Sequence, residues 1–207
     1  MGIPVMIMGQ SGSGKSASMR NFKKGEIGII NVCGKPLPFM NDLAMLNTDD
    51  YNAIANTLQK ASAKTIVIDD CQYLMANEFM RNAKVSGFQK FTDIGLNFWN
   101  LIRLVISLPS DVIVYFLAHT ERDAEGNEKM KTIGKMLDEK ITIEGMFTIV
   151  LKTLVQDGKY SFSTQTNGQD TVKSPIGMFP EGTIDNDLKF VDDRIREFYN
   201  IKVTNNG

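Results

Sequence analysis

The chain has 207 residues and a formal net charge of −1. That is enough length for one α/β domain with a substantial core, and it leaves no global basic field to hold nucleic acid, so any polyanion contact has to come from local patches. Two cysteines, Cys33 and Cys71, and a single histidine argue against a disulfide scaffold and a zinc cluster, while the lack of a long apolar run and of a basic leader predicts a soluble, cytoplasmic protein without membrane contact.

Residues 3 to 8 are short and apolar, as a buried strand requires, and residues 17 to 22 can open a helix. Between them, Gly9-Gln10-Ser11-Gly12-Ser13-Gly14-Lys15-Ser16 fits the phosphate-binding pattern G-x-x-x-x-G-K-S/T without a mismatch. Gly9, Gly12 and Gly14 let backbone N–H groups turn in around a polyphosphate, since no Cβ blocks the approach. The helix expected from Ala17 points its positive end at the same anion. Lys15 reaches the terminal phosphates, and the Ser16 hydroxyl is a Mg²⁺ ligand. A chance glycine-serine turn is the bland alternative, disfavoured by the strand before it and by a second motif downstream.

A second strand over 27–32 ends at Gly34-Lys35-Pro36-Leu37-Pro38. Residues 50–62 carry Ile54, Leu58 and Ala61 at helical spacing, with Thr48 or Asp49 as N-cap. Residues 65–70 read as a buried strand closing on Asp69 and Asp70. Asp69 is the expected Mg²⁺-side carboxylate, paired with Ser16. Asp70 either orients and deprotonates an attacking water or caps the helix expected over 71–83.

The longest amphipathic run, 93–108, stops at Pro109. Residues 112–118 form another apolar strand leading to His119, which is either structural or a sensor of the γ-phosphate, with Thr120 as the alternative sensor. Residues 121–140 are charged around a Glu125-Gly126-Asn127 turn, and Asp157-Gly158 between two β-rich runs is a hairpin signal. A last helix is predicted over about 187–199, with Leu188, Val191, Ile195 and Phe198 on one face.

Continuous apolar strands alternating with helices imply an α/β fold with a mostly parallel sheet covered on both faces, an antiparallel hairpin near the C-terminus, and a site at the carboxyl ends of the strands. The whole chain reads as one domain. ATP is favoured over GTP because no guanine-reading Asn-Lys-x-Asp motif occurs.

The order of glycine loop, strand with terminal Asp, charged segment and strand with terminal polar residue resembles the RecA-like P-loop ATPase core. The stretches from Asn31 to Phe39, Ile68 to Leu74, Met75 to Arg81 and Thr132 to Lys140 are similar to phage-encoded minimal RecA-like ATPases of replication and recombination modules. The resemblance implies ATP and Mg²⁺ as ligands, hydrolysis, head-to-tail self-association, and action on single-stranded DNA beside phage single-strand-binding or recombination proteins. It places a DNA-facing loop at about 81–92, where Arg81, Lys84, Phe88 and Lys90 interleave charge with aromatics, and a second at about 121–137. It also implies a cation supplied to the neighbouring subunit's site, with Lys135 first among Arg122, Lys131 and Lys140. Two other functions stay open: a small-molecule or nucleotide kinase, and an ATP-switched loader or adaptor with little turnover.

Overall fold

The structure is a computed structural model and describes residues 1–134, 137 and 140–202. Its centre is the set of continuous apolar runs. Strands β1 (Ile3–Met8), β4 (Thr65–Asp69) and β5 (Ile113–Ala118) lie side by side and are almost wholly buried. Successive residues feed opposite faces: Met6, Met8, Ile66, Ile68, Val114 and Phe116 pack on one side, and Val5, Ile7, Val67, Tyr115 and Leu117 on the other. A strand buried on both faces has no polar face to alternate with, which is why these runs carry no period of two.

Among the described residues the sheet has eight strands in the order β10-β9-β8-β1-β5-β4-β2-β3, where β2 is Ile27–Asn31, β3 Ala44–Asn47, β8 Ile149–Gln156, β9 Lys159–Ser163 and β10 Thr183–Asp185. Six are mutually parallel, from β8 through to β3; β9 and β10 add antiparallel pairing at one edge. Asp157 (φ 51°) and Gly158 (φ 74°) form the two-residue turn between β8 and β9, with Gln156 opposite Lys159. Positive φ at both positions is the geometry whose twist matches a right-handed hairpin.

Helices α1 (Tyr51–Lys60), α2 (Gln72–Arg81) and α3 (Gln89–Ser107) cover one face through Ile54, Leu58, Leu74, Phe98 and Ile102; α4 (Leu188–Phe198) covers the other through Leu188, Val191 and Ile195. Among the described residues, no helix is long and apolar enough to cross a membrane.

Several expectations are corrected. Asp50, not Asp49 or Thr48, caps α1 by accepting from Ala53 N at 2.7 Å. Asp49 instead faces Asn77 and Arg81 of α2. Phe198 is 38% exposed, and α4 buries Asp192 and Arg196 instead. The turn expected around Glu125-Gly126-Asn127 stands, joining a small antiparallel hairpin of β6 (Thr120–Arg122) and β7 (Glu128–Met130). The short strands β3, exposed along its whole length, and β10, which buries only Ile184, are not anticipated from the sequence.

The glycine loop is not followed by an α-helix. Ser16–Asn21 is a six-residue 3₁₀ turn, because only a few residues separate it from the Gly25 turn (φ 89°) and the start of β2. A helix macrodipole needs several aligned turns, so anion affinity here has to come from the loop's own amides and Lys15.

Candidate functional site

Register brings the site together. Met8 pairs with Ala118 on one side and Lys152 on the other, and Asn31 pairs with Asp69. The segments that leave β1, β2, β4 and β5 therefore emerge at the same sheet edge, with β1 central between β5 and β8, the location where open α/β sheets hold ligands.

Gly9 N donates to Ala118 O at 3.1 Å. A Cβ on Gly9 would lie 1.8 Å from Thr153 Oγ1, so the strand-to-loop corner admits only glycine. Gly12 (φ 76°) and Gly14 (φ 94°) take left-handed conformations that bend the loop back. Buried Ser13 locks the bend, its Oγ donating to Gln10 O at 2.6 Å and lying 2.5 Å from Thr153 Oγ1. Gln10, Ser11 and Gly12 form the exposed crest, and Ser16 and Ala17 are half-buried at its far end.

Lys15 folds back across this loop. Its Nζ donates to Gly9 O at 2.9 Å and Gln10 O at 2.8 Å, leaving the residue 5% exposed. Burial lowers its pKa, while the charges of Asp70 and Asp69 pull the other way. A buried ammonium held by two neutral carbonyls is a strong attractor for a phosphate.

Asp69 ends β4 and accepts from Ser16 Oγ at 2.9 Å. Burial raises its pKa to about 6 against the help of that bond. Ser16 and Asp69 suit a hard cation, and among the described residues no cluster of three or more His, Cys, Asp or Glu could hold a metal alone. A Mg²⁺ there would take its remaining oxygens from phosphate and water, as this ion usually does.

Asp70 is left-handed (φ 58°). Its Oδ1 lies 3.2 Å from His119 Nε2 and its Oδ2 3.4 Å from Lys35 Nζ. Burial opposes the charge, yet the His119 hydrogen bond and the Lys35 ammonium hold the carboxyl down at about 2. The helix-capping alternative is overturned: the N-cap of α2 is Cys71, without a side-chain bond. His119 is fixed by its own backbone, its N–H donating to Gln72 Oε1 at 3.2 Å and its carbonyl accepting from Lys131 N at 2.8 Å. Tyr73 meets its ring edge-on.

Sequence reasoning missed Lys35 as a site residue. The turn after β2 presents it: Gly34 is left-handed (φ 64°), and Asn31 Nδ2 donates to Lys35 O at 2.6 Å. A Gly-Lys pair directly after a parallel strand was the available signal. On the opposite flank of β1, Tyr160 and Asn186 back onto Gly14, and Arg20 Nη1 donates to Asn186 O at 2.7 Å. No local pattern marks these, since the β9 register alone brings them in.

No protein-family model matches the chain, and no curated protein matches it.

Arg81, Lys84, Phe88 and Lys90 gather around the α2–α3 connection, not at the glycine loop. Phe88 is 89% exposed, so it does not tuck into the core, whereas Phe91 stacks on Phe79 at 5.6 Å between centroids. Lys84 is exposed. Lys90 donates to Val85 O and sits 5.4 Å from the centroids of both stacked rings. Arg81 pairs with Asp49 at 2.5 Å. Helix α2 starts next to Asp70 and ends at this connection, a rise of about 15 Å for its ten residues. Lys135 lies outside the described residues.

Proposed function

We propose that the chain is an ATP-binding P-loop protein of the RecA-like kind, taking ATP–Mg²⁺ at Gly9–Ser16 and hydrolysing it. The observation that carries this reading is the contact between Ser16 Oγ and Asp69 Oδ1 beside a buried Lys15. It joins the two halves of a phosphate-and-metal site from opposite ends of the glycine loop and β4, in the arrangement that phosphoryl transfer uses.

In this reading Lys15 exchanges the Gly9 and Gln10 carbonyls for phosphate oxygens, and the loop amides of Gly12 and Gly14 line the polyphosphate. Ser16 and Asp69 would be the residues that hold Mg²⁺, and the metal would supply charge neutralisation to the phosphates. Asp70, aimed by His119, orients the attacking water at the γ-phosphorus. His119 reads the terminal phosphate through the same bond.

The exposed Phe88 with Lys84 and Lys90 supports single-stranded DNA as the partner, through stacking and phosphate pairing. We read the protein as one domain of phage replication or recombination type that self-associates head to tail, Lys135 being the first candidate for a cation given to the neighbour. The test is the ATPase rate of wild type and Lys15→Ala with and without single-stranded DNA across a salt series. Wild-type turnover stimulated by DNA and lost in the variant supports the reading; equal ATP–Mg²⁺ binding by Lys15→Ala overturns it.

One observation favours a second reading, an ATP-switched loader or adaptor with little turnover. A carboxylate held near pKa 2 by the His119 hydrogen bond and the Lys35 ammonium is a weak base, so Asp70 in this arrangement favours a slow, binding-driven cycle. Tight ATP binding with negligible hydrolysis, with or without DNA, would select it.

A further inference from the structure

We propose that Lys35 is a γ-phosphate ligand supplied from within the same chain, held on Asp70 until a triphosphate arrives and then transferred to it. This role rests on the ATP-binding reading and specifies how that site distinguishes ATP from ADP.

The turn that carries Lys35 is built, not incidental. Strand β2 ends at Asn31, opposite Asp69, so the residues that follow leave the sheet beside the acidic pair. Gly34 supplies the left-handed corner, and the Asn31 amide fixes the Lys35 carbonyl at 2.6 Å. With the backbone pinned, the side chain is the movable part. Its ammonium lies 3.4 Å from Asp70 Oδ2 and 5.3 Å from the centroid of the Tyr73 ring. The side chain is 65% exposed, so the pair with Asp70 is screened and readily broken.

Lys35 also faces the glycine loop electrostatically, for its charge acts on Lys15 in the direction of repulsion. Two ammoniums converge on one crevice, one resting on the carbonyls of Gly9 and Gln10 and the other on a single carboxylate. Two carboxylates, Asp69 and Asp70, balance them when no nucleotide is bound. A polyphosphate on the loop adds negative charge that Lys15 alone does not match, and a phosphate offers Lys35 more acceptor oxygens and more charge than the single carboxylate of Asp70. Lys15 is anchored to the loop itself, whereas Lys35 stands at the Asp69–Asp70 end, and the proposed role puts the terminal phosphate of a triphosphate at that end. Loss of Lys35 therefore penalises ATP and spares ADP.

The experiment is equilibrium binding of fluorescent AMP-PNP and ADP, each with Mg²⁺, to wild type, Lys35→Gln, Lys35→Arg, Asp70→Asn and the double variant Lys35→Gln/Asp70→Asn. Asparagine tolerates the left-handed backbone at this position. Lys35→Gln is expected to weaken the triphosphate analogue by about tenfold and to leave ADP within about twofold, with Lys35→Arg retaining the preference. Asp70→Asn is expected to tighten the analogue by a few-fold, and that gain is expected to vanish in the double variant, since it comes from freeing the lysine. Equal loss for both nucleotides, no loss at all, or a gain that persists without the lysine overturns the role. Wild type binding neither nucleotide would overturn the ATP reading and this role together, whereas wild-type binding with an unchanged Lys35→Gln affinity overturns this role alone.

Discussion

The Ser16 hydroxyl donates to Asp69 Oδ1 at 2.9 Å, across the crevice between the glycine loop and the end of β4. The bond stabilises a carboxylate that burial penalises: Asp69 is pushed from 3.8 to about 6. A folded-state pKa above the ordinary value gives stability that is complete below about pH 4 and is lost as pH rises through about 6. At neutral pH the charged group costs on the order of 3 kcal/mol in the nucleotide-free chain. Asp69→Asn keeps an acceptor for Ser16 and removes the charge. In EDTA its melting temperature should exceed that of wild type at pH 7.5, with the gap closing toward pH 4, while its affinity for ATP–Mg²⁺ falls. Thermal melts across pH, paired with nucleotide titrations, check both halves, and a variant less stable than wild type at pH 7.5 would contradict the first.

Gly9 sits where a Cβ would collide with Thr153 Oγ1 at 1.8 Å and Ser13 Oγ at 2.8 Å. Gly9→Ala should therefore displace the loop, costing roughly 1–3 kcal/mol as an overpacked core site does, and should weaken nucleotide binding. Adding Thr153→Ala removes the nearest atom, so the pair should be more stable than the sum of the single effects. Urea denaturation of the four proteins in this cycle measures the coupling.

The glycine loop, Asp69 and the central strands were legible in the sequence because each is fixed by local chemistry: glycines at set spacing, an acid after an apolar run, and burial on both faces. The 3₁₀ turn after Ser16 was not, since the residues from Ala17 to Phe22 suit a helix and only the short distance to β2 prevents one. Lys35 was hidden for a different reason. Its partner Asp70 is remote in sequence, and the pairing depends on β2 lying next to β4. Asp192 and Arg196 follow Leu188 at helical spacing and so lie on the buried side of α4, but as charged residues they carry no core signal, and only the packing of that helix on the sheet shows them buried.

Phe88 projects from the α2–α3 connection with 89% of its surface exposed, so Phe88→Ala should leave the melting temperature within about 2 °C of wild type, as a change at an exposed site does. If single-stranded DNA stacks there, the same variant should lose about 1–3 kcal/mol of binding with an unchanged salt slope. Lys84→Ala should instead flatten the salt slope, because it removes a phosphate contact. Fluorescence anisotropy with an oligonucleotide over a salt series separates the two. Unaltered DNA affinity in both variants would move the DNA surface elsewhere.

Arg196 and Asp192 join α4 to the far side of the sheet from the glycine loop's edge. Arg196 Nε donates to Asp192 Oδ2 at 2.7 Å, and its other nitrogens donate to Asp111 O, Lys64 O and Thr65 Oγ1. Asp192 also accepts from Thr65 Oγ1 and, at 3.1 Å, from the Tyr115 hydroxyl. Burial raises the Asp192 pKa, with Arg196 opposing, so the carboxylate depends on its donors. Arg196→Met strips the main one and should destabilise the chain by roughly 3–5 kcal/mol, the usual result of orphaning a buried charge. Asp192→Leu combined with Arg196→Met removes both charges and should recover most of that loss. Thr65 opens β4 whereas Asp69 closes it, so the network stands at the opposite end of the strand from the site. The double variant should therefore bind nucleotide as wild type does; a loss of affinity in a fully folded double variant would mean that α4 sets the position of the glycine loop as well as the stability of the sheet.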